Sequence, residues 1–141
     1  MKTSIQQYIY LAGLAQIVLA IGSLAIPRIL NWRLELTKVQ PLIKQMFWTY
    51  AAYILAINLF FGVISVLDFK ELTGGSMLSI LITGFIALYW ISRVLIQFLY
   101  FDRTSFPKGA WNLVGEVVLV VLFIFLSLVY STASYFNFQH I

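Results

Sequence analysis

Four stretches of the chain are apolar almost without a break: residues 5–26, 42–67, 77–101 and 110–136. A helix rises about 1.5 Å per residue, so about 20 apolar residues cross a hydrocarbon core of about 30 Å. Each stretch is long enough. The breaks between them carry residues that stop or start helices. Pro27 and Pro41 bound the first connection. The run "LDFKELTGGS" ends in a glycine pair and offers Ser76 as an N-cap. The run "FDRTSFPKGAW" breaks the pattern again at Pro107 and Gly109. The pattern predicts an all-α integral membrane protein: an antiparallel four-helix transmembrane bundle with short loops, in one domain over residues 1–141.

Two segments strain this reading. The first span opens with a basic residue, runs apolar and ends Ser-Leu-Ala, as a secretory signal does. Its apolar run is longer than a usual signal core, so a retained helix is expected. Between the first two spans, residues 30–37 alternate apolar and polar, the period of a half-buried strand. A lone strand beside a bilayer leaves its backbone groups unpaired. The expectation for 27–41 is therefore an interfacial segment with Trp32 and Leu34 turned inward. A strand recruited by another protein is the sharper alternative.

Composition strengthens the membrane reading. Of 141 residues, 62% are apolar and 10% charged, and mean hydropathy is +0.94, against about 25% charged in soluble domains. So short a chain cannot hide that much apolar surface from water. There is no cysteine, which excludes disulfides and thiolate chemistry. The one histidine, His140, is next to the last residue, so histidine-based haem or metal ligation is not expected. No metal and no cofactor are expected.

Charge gives a direction. Arg28, Arg33, Lys38, Lys44, Arg103 and Lys108 fall in the first and third connections, and Lys2 and Lys70 on the other side. Six against two places connections one and three in the cytoplasm and both termini outside. A bacterial inner membrane fits that bias. The net charge of +4 then needs no nucleic acid. Trp32, Trp48 and Trp111 fall at the cytoplasmic boundary, and Tyr8, Tyr10, Tyr130, Tyr135 and Phe138 at the other.

Polar residues inside spans mark helix contacts or function. Gln16 shares a face with Gly13, Ala20 and Ser23, and Asn58 lies near Ala51, Gly62 and Ser65. Both amides are read as interhelical hydrogen-bond contacts. In the third span Tyr89, Trp90, Arg93 and Gln97 recur at helical spacing, and in the fourth Asn112 and Glu116 do. Arg93 lies about 12 Å below Phe101, and Glu116 about 9 Å beyond Ala110. Similar depth in successive helices suggests an ion pair. The pair is read first as fixing helix register. Alternatively, with Tyr89, Trp90, Gln97 and Asn112, it forms a candidate ligand site, cationic and aromatic-walled, suited to a lipid headgroup, a quinone-like ring or an amphipathic acid. Snorkelling of Arg93 alone is a third reading.

Three function classes follow. An accessory or scaffold subunit, or lipophilic-ligand binding module, stands first, with the lipid bilayer and another membrane protein as partners. A small homo-oligomeric proton-coupled transporter or channel using Glu116 and Arg93 is the alternative. A membrane-embedded lipid-modifying enzyme is weakest, because no Ser-His-Asp set, metal cluster or glycine-rich phosphate loop is present.

Overall fold

A computed structural model describes residues 2–101 and 109–141. The third connection, with Arg103, Pro107 and Lys108, lies outside them. The described residues are helical, with no strand. Helix α1 is Lys2–Ser23, followed by single-turn helices α2 (Ile26–Ile29) and α3 (Trp32–Glu35). Helix α4 is Pro41–Leu67, α5 is Met77–Leu99 and α6 is Ala110–Gln139. Four of them, α1, α4, α5 and α6, are long and apolar enough to cross a membrane.

Local chemistry sets the boundaries. Pro41 occupies the first turn of α4, where its missing N–H costs nothing. Ser76 caps α5 by accepting from the Ser79 N–H at 3.1 Å. Between α4 and α5 the chain makes a 3₁₀ turn, Glu71–Thr73, and reverses at Gly75. Gly75 has φ +73°, and a Cβ there would meet the His140 carbonyl oxygen at 3.0 Å. Both facts require glycine.

The first connection departs from its sequence pattern. Residues 30–37 form no strand. Asn31, in the left-handed region at φ 54°, turns the chain between α2 and α3. A 3₁₀ turn, Leu36–Lys38, then leads to α4. Leu36 is the buried residue of this segment, while Leu34 stays exposed. Trp32 packs edge-on against Phe47 and Trp48, with ring centroids 4.8 and 5.7 Å apart. Single turns satisfy much of their backbone locally, so the alternation needs no paired strand.

Helix α1 packs on α4 and on α6, and α5 packs on α6. The α1–α4 contact is backbone-close. A Cβ on Gly13 would lie 2.9 Å from the Gly62 carbonyl oxygen, and one on Gly62 would lie 2.7 Å from the Ile17 side chain. Small residues allow this approach, which is how helices associate where no hydrophobic driving force separates them from lipid. Between α5 and α6 the order of contacts is opposed. Trp90 meets Phe123, and Gln97, two turns on, meets Glu116, two turns back.

Burial is uneven along the helices. α4 buries only Phe61, Gly62 and Ser65, all in its last third, and α6 buries nothing before Phe123. The tight core therefore gathers toward the 68–76 connection, around Ile9, Ile86, Trp90, Leu126, Tyr130 and Ala133. Outward positions such as Leu59, Leu81, Leu88, Val121 and Leu128 are exposed and aliphatic.

Candidate functional site

The polar residues of the long helices sort into three groups, each fixed by a different local cause. The first group is a closed hydrogen-bond network at the centre of the core. Gln16 on α1 donates to the Tyr130 hydroxyl on α6 at 2.6 Å and to the Ala12 carbonyl at 3.2 Å. Its Oε1 accepts from the Trp90 indole of α5 at 3.0 Å. The Tyr130 hydroxyl is also hydrogen-bonded to Ser65 of α4. Gln16, Ser65 and Tyr130 are fully buried, and Trp90 is 1% exposed. One residue from each long helix thus meets at one point. Buried polar groups must be satisfied, so this network fixes the rotation of all four helices at once.

Tyr130 is therefore a core residue and not part of a boundary belt. Ser65 was legible only as a small neighbour of Gly62. Its role depends on Tyr130 arriving from 65 residues away.

The second group surrounds Arg93. Its Cζ lies 5.1 Å from the Phe123 ring centroid and 5.6 Å from that of Phe101. Cations within about 6 Å of an aromatic centroid are attracted by the ring quadrupole. The ion pair expected with Glu116 does not form; among the described residues the only ion pair is Lys38–Glu35, at 3.0 Å. Glu116 instead accepts from Gln97 at 3.4 Å. Register explains the difference. Trp90 stacked on Phe123, at 5.3 Å and 23°, places Arg93 opposite position 120, a turn deeper than Glu116. Phe101 and Ala110 do not lie level, so similar distances from them are not equal heights.

The remaining expected site residues scatter. Trp90 belongs to the core network. Tyr89 turns toward α4, edge-on to Phe61 at 5.3 Å, with Asn58 beside it. Asn58 Oδ1 is enclosed without a hydrogen-bond partner among the described residues. Asn112 is exposed. Arg93, Gln97 and Glu116 thus stay on the α5–α6 face, whereas Trp90 is taken into the core network and Tyr89 packs toward α4.

The third group holds the 68–76 connection. Asn137 of α6, fully buried, donates to the Leu72 carbonyl at 2.6 Å and accepts from the Gly75 N–H at 3.1 Å. From α1, Gln6 donates to the Thr73 hydroxyl at 3.1 Å. Sequence reading missed Asn137. The available signal was an amide near a helix end in a chain whose only glycine pair needs a partner for its backbone.

Two open grooves lie on outer faces. One of about 720 Å³ runs between α5 and α6 past Gly84, Phe85, Ser131, Ser134 and Tyr135. The other, about 230 Å³, lies between α1 and α6 beside Ile5, Tyr8 and Phe125. Arg93 lines neither. Among the described residues no cluster of three or more His, Asp or Glu side chains is placed to hold a metal. No protein family, curated protein or solved structure matches the chain.

Proposed function

We propose that the chain is an integral membrane protein, an antiparallel four-helix bundle, that serves as an accessory or scaffold subunit for another membrane protein. The observation that carries this reading is the open half of α4. From Pro41 to Phe60 this helix buries no residue, and it presents Tyr50 and Tyr53 at 56% and 64% exposure. They lie about 14 and 18 Å along the helix from Pro41, well inside a hydrocarbon core of about 30 Å. Neither phenol has a hydrogen-bond partner among the described residues. Hydroxyls at that depth are normally satisfied by a neighbouring helix, because lipid tails offer no acceptor. The central network supports the same conclusion, since the core polar groups bond to one another and leave the outer surface to do the recognising.

The test is a photocrosslinker placed at Tyr53, with Leu128 on α6 as the control position. One discrete, stoichiometric adduct at position 53 alone is expected after growth in the native host. Lipid adducts only, at both positions, would overturn the reading.

Orientation follows from Lys and Arg placement: connections one and three face the cytoplasm, in a bacterial inner membrane, with both termini outside. The chain has no cysteine, so Lys38→Cys and Lys70→Cys report topology directly. Impermeant maleimide should label intact cells at position 70 and not at position 38.

A second reading, proton-coupled transport, draws on the contact between Gln97 and Glu116, a half-buried carboxylate within a span. It requires pH-dependent uptake in liposomes that Glu116→Gln abolishes.

A further inference from the structure

Arg93 carries a permanent charge inside a span, about 9 Å before the end of α5 at Leu99. Phe101 and Phe123 attract that charge, but an aromatic ring accepts no hydrogen bond of ordinary strength. A guanidinium has five N–H donors. Among the described residues none of these donors meets a carbonyl, hydroxyl or carboxylate. The nearest acidic side chain on the facing helix, Glu116, is engaged by Gln97 one turn away.

We propose that Arg93 binds the oxyanion head, phosphate or carboxylate, of an anionic amphiphile. Three features select this chemistry. Guanidinium donors form a fork that matches two oxygens of one oxyanion. The long stem lets the charge reach toward the headgroup layer, and Phe101, one of the two rings beside it, lies beyond the end of α5. The aromatic walls and the aliphatic outer faces of α5 and α6 suit an acyl chain and exclude a freely soluble anion. The inference rests on the membrane reading alone. It needs no docked protein partner, so failure of the crosslinking test leaves it standing.

The test is native mass spectrometry of the full chain released from detergent micelles, titrated with phosphatidylglycerol, diacylglycerol or oleate. The exposed cations of the first connection, Arg28 and Arg33, also attract anionic lipid, so a variant carrying Arg28→Gln and Arg33→Gln serves as the control. One tightly retained anionic amphiphile is expected in the wild type and in this control, favoured over diacylglycerol, which has no oxyanion, by about tenfold, the scale of a charge-assisted hydrogen-bond pair. Arg93→Gln should lose that preference, and Arg93→Lys should keep part of it. Retention of phosphatidylglycerol identifies a bilayer lipid as the source, and its displacement by oleate identifies a free acid; either supports the site. No preference in the wild type, a preference retained in Arg93→Gln, or a preference lost only in the Arg28/Arg33 control, would overturn it. Should Arg93→Gln fail to fold, Arg93→Lys decides the matter: it keeps the charge without the fork, so a preference equal to that of the wild type would overturn the site.

Discussion

Gln16 and Tyr130 stand 114 residues apart in the chain, yet the amide of one donates to the phenol of the other at 2.6 Å in a site neither shares with solvent. Through Trp90 and Ser65 the same two residues bind α5 and α4 to the α1–α6 pair. Removing the Tyr130 hydroxyl takes away a partner from two buried groups. Tyr130→Phe is expected to destabilise the protein by about 1–2 kcal/mol, the upper range for hydrogen bonds between membrane helices. Thermal melts in detergent measure this. A double-mutant cycle with Gln16→Leu should show strong coupling, and strict additivity would mean the network is not one unit.

The α1–α4 contact has no room for a methyl group. Gly13→Ala places Cβ 2.8 Å from that of Ser65, and Gly62→Ala meets both Ile17 and the Gly13 carbonyl. Each should cost about 1–3 kcal/mol as the helices move apart. Gly22→Ala, with nothing within 4 Å, should be neutral or slightly stabilising. Equal melting temperatures for Gly13→Ala and Gly22→Ala would contradict the close crossing.

Asn137 acts on the connection between α4 and α5 from outside it. Asn137→Leu leaves the Leu72 carbonyl and the Gly75 N–H without their side-chain partner, at about 1–3 kcal/mol. The sign is readable locally. Amide hydrogen exchange should accelerate across residues 68–76 while the centre of α6 stays protected.

Arg93 and Glu116 are not ionic partners, so exchanging them should rescue nothing. The variant with Arg93→Glu and Glu116→Arg is expected to be no more stable than the sum of its single changes, within about 0.5 kcal/mol. Phe123→Leu should instead couple to Arg93→Gln by about 0.5–2 kcal/mol, as a partly desolvated cation–π contact does. Recovery of the wild-type melt by the charge exchange would restore the ion pair and refute the stacked arrangement.

What the sequence by itself determined is one-dimensional. Apolar runs, prolines, the glycine pair and Ser76 set where the long helices begin and end to within a few residues, because these signals act on the backbone near them. Face was legible too: Gly13 and Gln16 on α1, and Gly62 and Ser65 on α4, recur at helical spacing and do line the contacts. Height was not. The levels of Arg93, Glu116 and Tyr130 depend on how far one helix slides along the next, and that is decided by pairs distant in the chain, such as Trp90 on Phe123 and Gly13 on Gly62. Helical periodicity is unchanged when a whole helix slides along its axis, so only packing in three dimensions could choose the register, and with it the neighbours of every polar side chain.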